Sequence, residues 1–324
     1  MRNRVLYGVL SVVLAAGLLT GCAGGKKEFP NKEITVVVPW NPGGTNDLMA
    51  RALQPVFKEK FNVELVVKNS PGGGSAVGIT EVLTAKPDGY TVGLASSSFL
   101  VLVAQGKAEA DLDKVENICL VAEEPVVLVA KSGGKYADAQ SLIDAAKANP
   151  GEISVGIPGS NNVNQAYATL LGQAAGTDFL FMPFDGGSRV ITEILGGHVD
   201  AGVLKPSEVI AQVKSNDLMV LGVFNKDGLA AMPDVPTFES LGYDVFTLGD
   251  IRQASYIMAP AGLDAGAKEK LASMFKEALE SDDFKAFAEE SGLVSRPITG
   301  EELDVFLDDV YVGLENASKE IWAQ

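Results

Sequence analysis

The chain has 324 residues and a formal net charge of −16, with its acidic residues spread along the sequence rather than grouped in blocks. We expect no nucleic-acid partner, because a surface that neutralises phosphates needs clustered lysine and arginine. The same acidity argues against long-range steering of an anionic ligand. The length predicts two domains with sizeable hydrophobic cores.

The N-terminus carries two arginines and then an apolar run, Val5–Leu19. This run is too short to span a membrane comfortably and is typical of a secretory signal peptide. It ends in the letters LTGC at residues 19–22, which resemble a bacterial lipobox. We therefore predict a lipoprotein signal peptide at 1–21, lipidation of Cys22, a tether at 22–28 and an extracytoplasmic, membrane-anchored protein. An ordinary secretory signal followed by a chance cysteine is the alternative.

The rest of the chain alternates β-branched strand patterns with helical patterns. The predicted strands are Ile34–Val38, Val63–Val67, Thr91–Ala95, Val126–Ala130, Ile153–Gly156, Phe179–Pro183, Val199–Leu204 and Met219–Val223. The predicted helices are Asp47–Lys60, Ala76–Ala85, Ala137–Ala148, Val163–Ala175, Arg189–Leu195, Ala267–Leu279, Asp283–Ser291 and Glu301–Ala323. Such alternation predicts parallel sheets that are covered by helices on both faces.

The alternating pattern occurs once before residue 126 and once after it. This repetition predicts an α/β protein of two Rossmann-like domains. We assign residues 29–126 plus 232–324 to domain 1 and residues 127–231 to domain 2. Two α/β lobes on one chain leave a cleft between them, and that cleft is the expected ligand site.

Four predicted loops are rich in glycine or in small polar residues, and they are Pro39–Asn46, Ser96–Ser98, Gly159–Asn162 and Phe184–Ser188. Ligands of open α/β sheets bind beyond the carboxyl ends of the strands. Glycine lets the backbone approach a ligand, and a helix that begins after such a loop offers unpaired N–H groups and a positive dipole end. The loops therefore predict a site for a carboxylate or phosphate that needs no lysine or arginine.

The candidate ligand-binding residues all lie in or next to these loops. They are Trp40, Asn41, Gly43, Gly44, Thr45, Asn46, Ser96, Ser97, Ser160, Asn161, Asn162, Phe184, Gly186, Gly187, Ser188 and Arg189. Taken singly, each loop is also consistent with a simple turn or a helix cap. For Arg189, which begins a predicted helix, the sequence leaves two roles open: contact with the ligand, or an ion pair with Glu193 four residues on.

Catalytic machinery is not indicated by the sequence. The single histidine, His198, is not accompanied by a G-x-S-x-G nucleophile elbow, and no nucleotide P-loop is present. One histidine and Cys119, the cysteine left once Cys22 is lipidated, do not make a zinc ligand set. We therefore expect no enzyme activity, no cofactor and no metal.

Ordered motifs across the whole mature chain resemble the substrate-binding proteins of tripartite tricarboxylate transporters, the Bug-type solute receptors. The matching stretches are VPWNPGG at 38–44, NSPGGG at 69–74, PDGYT at 87–91, ANPG at 148–151, PFDGG at 183–187, MPDVPT at 232–237 and APAG at 259–262. The resemblance implies a type II periplasmic-binding-protein fold that closes on a small organic carboxylate. It also implies a partner, a membrane permease energised by an ion gradient. We expect the protein to be a monomer.

The resemblance further implies that the loops matching Pro39–Thr45 and Phe184–Ser188 bind one carboxylate through backbone N–H groups and ordered water. Three positions depart from the family's usual residues: Gln165, often a histidine; Asp185, often a lysine or arginine; and Arg252, usually an aromatic residue. These departures leave the ligand's identity open. The alternatives are a receptor of the same fold for a non-anionic solute, or one that signals to a sensor kinase.

Overall fold

The computed structural model describes residues 28–107, 111–229, 231–249 and 251–322. The predicted signal peptide and Cys22 lie outside the described residues, as does nearly all of the predicted tether. Within the described residues, no helix is both long enough and apolar enough to cross a membrane.

The first lobe is built on a five-stranded sheet with the strand order β2-β1-β3-β10-β4. Its strands are β1 Ile34–Val38, β2 Leu65–Asn69, β3 Thr91–Ser96, β4 Val115–Glu124 and β10 Gln253–Pro260. β1 pairs in parallel with β2 and β3, whereas β10 runs antiparallel to both β3 and β4. The helices that go with this sheet are α1 Thr45–Phe61, α2 Ala76–Leu83, α3 Ser97–Ala104, α8 Ala265–Leu279, α9 Asp282–Ser291 and α10 Glu301–Ala317.

The second lobe is built on another five-stranded sheet, with the order β7-β6-β8-β5-β9. Its strands are β5 Val126–Lys131, β6 Ser154–Pro158, β7 Leu180–Phe184, β8 Ala201–Leu204 and β9 Leu218–Phe224. β6 is parallel to β7 and β8, and β5 is antiparallel to β8 and β9. The accompanying helices are α4 Ala139–Ala148, α5 Val163–Ala175, α6 Gly187–Gly196 and α7 Pro206–Lys214.

The predicted α/β class is confirmed, but the prediction of purely parallel sheets is wrong. β5 follows β4 after a single residue, Pro125, so no crossover helix separates the two strands. β10 likewise enters the first sheet from the other lobe rather than from a preceding helix of its own sheet. Each sheet therefore contains one strand that the chain enters directly from the other lobe, β10 in the first sheet and β5 in the second. Each of these two strands is antiparallel to its neighbours.

The segment after β9 packs on the second lobe. Thr237 forms a bridge with Val223 of β9, and the ring centroid of Phe238 lies 4.4 Å from that of Phe224. Tyr243 donates a hydrogen bond from its hydroxyl to Gln140 of α4 at 3.2 Å. We therefore propose that the chain returns to the first domain after about residue 245, later than the predicted boundary at 232.

Asp200, just before β8, ties together three segments of the second lobe. Its carboxylate accepts hydrogen bonds from the Ser154 amide at 3.1 Å and hydroxyl at 2.7 Å, from Lys135 at 2.8 Å and from the Tyr136 hydroxyl at 3.2 Å. Burial raises the pKa of Asp200, but the hydrogen bonds from Lys135 and Ser154 outweigh it and hold the pKa below its ordinary value. Burial and the neighbouring carboxylate raise the pKa of Tyr136 to about 12.

Asp200→Asn is expected to lower the free energy of unfolding at pH 7 by about 1–3 kcal/mol, because Ser154, Lys135 and Tyr136 lose a charged acceptor. A lowered folded-state pKa gives stability that is complete above the unfolded pKa of about 3.9. That stability is lost as the pH falls through the folded-state pKa. Urea unfolding at pH 7 and pH 3 should show the difference shrinking at the lower pH, with the exposed Glu152→Gln as control. An equal loss at both pH values would contradict this role for the ionised carboxylate.

Candidate functional site

A cavity with a volume of about 90 Å³ lies between the two lobes. The first lobe contributes the loop after β1, the end of β3 and the start of β10. The second lobe contributes the loops after β6, β7 and β8. The lining residues are Trp40, Asn41, Pro42, Gly44, Thr45, Asn46, Ser96, Ser98, Pro158, Asn162, Val163, Asn164, Asp185, Gly186, Gly187, Ser188, Lys205, Glu208 and Gln253.

The two lobes touch each other around this cavity through neutral groups. The Thr45 and Ser207 hydroxyls are 3.2 Å apart, and Gln253 donates a hydrogen bond to the Asn164 side chain at 3.2 Å. Asn41 also donates across the cleft, to the backbone carbonyl of Asp185 at 3.5 Å. These contacts place atoms of both lobes around the cavity, so a small molecule inside would be in reach of both lobes.

Three helices begin at the cavity without a side-chain cap. The N-cap residues of α1, α3 and α6 are Gly44, Ser96 and Gly186, and none of their side chains accepts a hydrogen bond from the first turn. A fourth helix at the cavity, α5, is capped by Asn162, whose side chain accepts a hydrogen bond from the Gln165 amide at 2.9 Å. Uncapped first-turn N–H groups and the positive ends of the helix dipoles are suited to hold an anion.

The loop after β1 is braced from behind by Asp47. This carboxylate accepts hydrogen bonds from the Gly43 amide and from Arg51 Nε, both at 2.9 Å, and from Asn69 Nδ2 at 3.0 Å. Burial raises the pKa of Asp47, but the hydrogen bonds from Arg51, Gly43 and Asn69 prevail and lower it below its usual value. The carboxylate therefore stays ionised and fixes the loop.

Most of the candidate residues predicted from the sequence line the cavity. Those that do are Trp40, Asn41, Gly44, Thr45, Asn46, Ser96, Asn162, Gly186, Gly187 and Ser188. The two sheets therefore bring all four predicted loops to one place. Whether each residue contacts a ligand stays a prediction.

The other candidates do not line the cavity, and they are Gly43, Ser97, Ser160, Asn161, Phe184 and Arg189. Ser97 is buried and donates to the backbone carbonyl of Arg252 at 2.8 Å. The amide of Asn161 donates to the side chain of Gln165 at 2.6 Å. Of the two roles left open for Arg189, the structure shows the ion pair with Glu193.

Several cavity residues are absent from the predicted set, above all Lys205, Glu208, Asn164 and Gln253. Lys205 and Glu208 belong to the start of α7, and Gln253 begins β10, two elements that the sequence analysis does not predict. A usable signal was present at residues 205–208, because proline at the first helical position often marks a helix start. The structure thus adds a cation to a site that was expected to consist of neutral donors.

Lys205 lies next to a fully buried carboxylate. Its Nζ is 4.0 Å from Oε2 of Glu124, and the backbone N–H of Ser207 donates to Glu124 Oε1 at 3.4 Å. Burial raises the pKa of Glu124 above its ordinary value. Glu124 is the last residue of β4, so this group lies where the chain passes from one lobe to the other.

Comparison with known proteins gives a consistent result. BugT of Bordetella pertussis is 28% identical over 257 residues, 78% of each chain. A protein of Agrobacterium vitis from the UPF0065 group is 26% identical over 276 residues, 84% of this chain and 78% of that one. These relatives match most of the chain at low identity.

Solved structures of similar fold include the periplasmic binding protein BugD, at 23% identity and a TM-score of 0.81, covering 90% of this chain and 98% of that one. MatC of Rhodopseudomonas palustris with bound malate has 22% identity and a TM-score of 0.78, covering 89% and 99%. These likenesses confirm the predicted two-lobed periplasmic-binding-protein fold.

A family model described as the tripartite tricarboxylate transporter family receptor matches residues 49–310. That span includes both sheets apart from β1, as well as three of the four predicted loops. The match confirms the resemblance carried by the ordered motifs. The chain therefore belongs to the receptor family of the tripartite tricarboxylate transporters.

Proposed function

We propose that this receptor captures a small organic carboxylate outside the cytoplasm and delivers it to a membrane permease of a tripartite transporter. The observation that carries the proposal is the convergence of three uncapped helix N-termini, at Gly44, Ser96 and Gly186, on one cavity between two lobes. Such groups stabilise negative charge without a counter-ion, and more strongly where water is excluded. Proteins of similar fold hold malate and adipate, both small carboxylates.

We further propose that the receptor is tethered to the membrane by lipid on Cys22, which follows the apolar run and the LTGC motif. The tether would keep the receptor within reach of its permease. The cavity is formed by the two lobes of a single chain, so binding requires no second copy, and we propose a monomer.

The proposal is tested by a thermal-shift screen of residues 24–324 against mono-, di- and tricarboxylates, amino acids, sugars and metal cations. A ligand present at about 100 times its Kd stabilises the folded state by roughly 2.7 kcal/mol, which raises the Tm by several degrees. We expect a shift with a subset of the carboxylates. A shift with sugars or cations alone would contradict the carboxylate proposal.

A further inference from the structure

Among the described residues, three that line the cavity have ionisable side chains: Asp185, Lys205 and Glu208. The wall thus carries one ammonium and two carboxylates. A ligand with two or three negative charges would meet more negative than positive charge there. The balance instead suits a ligand that combines one carboxylate with a positively charged group.

Lys205 is the cation available to a ligand carboxylate. The residue is only 9% exposed, and within the described part of the chain its ammonium has no hydrogen-bond acceptor at hydrogen-bonding distance. Its nearest carboxylate, Glu124, is 4.0 Å away, and burial works against the charged form of that group by raising its pKa. The ammonium therefore lines the cavity without a close acceptor, and a ligand carboxylate there would accept a charge-assisted hydrogen bond from it.

Glu208 adds a negative charge to the cavity wall. Its Oε2 accepts a hydrogen bond from the Lys205 backbone N–H at 3.0 Å. Its Oε1 lies only 2.5 Å from the point where a Cβ on Gly187 would be, so the carboxylate rests against the start of α6. Asp185, an exposed residue immediately before the N-cap of α6, adds a second negative charge. A ligand ammonium would find acceptors here, whereas a second ligand carboxylate would be repelled.

The cavity is large enough for a small organic ligand. One water molecule needs roughly 10–15 Å³ of such volume, and the cavity has about 90 Å³. The space therefore holds about six to nine water molecules. Amino acids from alanine to aspartate fit it, because bonded atoms lie closer together than neighbouring water molecules.

We propose that the receptor selects a small zwitterion, an amino acid or comparable aminocarboxylate, with its carboxylate at Lys205 and the uncapped starts of α1 and α3. Its ammonium faces Asp185 and Glu208, and the Glu208 carboxylate offsets the positive end of the α6 dipole. The inference rests on the proposed function, since it names the substrate class of the same cavity. A receptor of this kind prefers amino acids, whereas a dicarboxylate receptor prefers ligands without an ammonium group.

The test uses isothermal titration calorimetry with two pairs of probes that differ only in one group. L-alanine is compared with L-lactate, and L-aspartate with L-malate, so that each pair exchanges an ammonium for a hydroxyl on the same carbon skeleton. We expect the amino member of at least one pair to bind about tenfold or more tightly than its hydroxy partner.

Three variants assign the contacts. Glu208→Gln keeps an acceptor for the Lys205 amide but removes the charge, and Asp185→Asn changes an exposed side chain, so both should fold. Each should reduce the amino-over-hydroxy preference, Glu208→Gln by about tenfold. Lys205→Met should weaken binding of both members of a pair by at least about 30-fold. The exposed Glu239→Gln is the matched control and should leave the preference unchanged.

The outcomes separate the inference from the function. Hydroxy acids or simple dicarboxylates that bind as tightly as their amino partners would overturn the zwitterion inference and leave the carboxylate receptor standing. A preference that is unchanged in both Glu208→Gln and Asp185→Asn would overturn the placement of the ammonium. Failure of every carboxylate in the screen, amino acids included, would overturn the proposed function itself.

Discussion

Gly44→Asp is expected to abolish carboxylate binding without making the protein less stable. Gly44 is the N-cap of α1, with φ −80° and ψ 166°, a conformation that aspartate adopts readily. A Cβ there would meet only the Asn41 carbonyl at 3.6 Å, an ordinary contact. The new carboxylate would cap α1 and interact favourably with its dipole, which contributes a few tenths to about 1 kcal/mol of stability.

The same substitution blocks the backbone groups that would bind a ligand carboxylate. The first-turn N–H groups of α1 become occupied, and a fixed negative charge enters the cavity. Losing two such interactions should weaken binding by about 100-fold or more. Binding is measured by calorimetry with the best ligand of the screen, and stability by urea unfolding.

Gly44→Asn is the matched comparison, because it caps the helix without adding charge. Its affinity should fall between those of the parent protein and Gly44→Asp. Undiminished affinity in the aspartate variant, together with an unchanged or raised Tm, would mean that the start of α1 is not where the anion binds.

Gly78→Ala is expected to destabilise the protein, although helix propensity alone favours the change. Gly78 lies inside α2, where alanine is intrinsically better than glycine by about 1 kcal/mol. A Cβ at this position would come within 2.7 Å of Pro39 Cβ and 2.8 Å of the Ser70 carbonyl. Since neither of these neighbours can rotate away, the helix and the loop after β1 must separate. We expect a net loss of about 1–3 kcal/mol in the free energy of unfolding.

The displacement should also weaken ligand binding, because Pro39 begins the loop that carries Gly44 to the cavity. The control is Val77→Ala, an exposed neighbour in the same helix, which is expected to change stability by less than about 0.5 kcal/mol. A gain in stability for Gly78→Ala would show that propensity outweighs the close approach and that the loop adapts without cost.

Sequence patterns predicted the elements in which burial imposes a regular spacing or a continuous run of apolar residues. β1 and β5 are rich in β-branched residues, and α1 and α8 have clear apolar faces, so these elements were found close to their observed bounds. The helix α3 was missed because its sequence, SSFLVLVA, is apolar nearly throughout and shows no helical period. A helix buried on most sides needs no polar face.

The site was predictable to the extent that glycine and small polar residues cluster after strands. Which of two adjacent glycines reaches the cavity was not predictable, because that depends on how the backbone is turned. Gly43, at φ +84°, directs its amide to Asp47, while Gly44 lines the cavity. Lys205 escaped prediction for another reason: it is brought to the cleft by the unpredicted helix α7, and nothing in its local sequence indicates burial.

The single residue between β4 and β5 constrains how this receptor can release its cargo. Pro125 alone joins Glu124 to Val126, which restricts sliding of one sheet past the other, and proline further restricts the backbone there. The second passage between the lobes lies between β9 and β10. We therefore expect the lobes to separate by rotation about these two connections, with the largest displacement at the rim farthest from them. A partner that docks on the outer rim of both lobes would control the opening of the cleft. It would thereby set the residence time of a captured molecule without contacting that molecule.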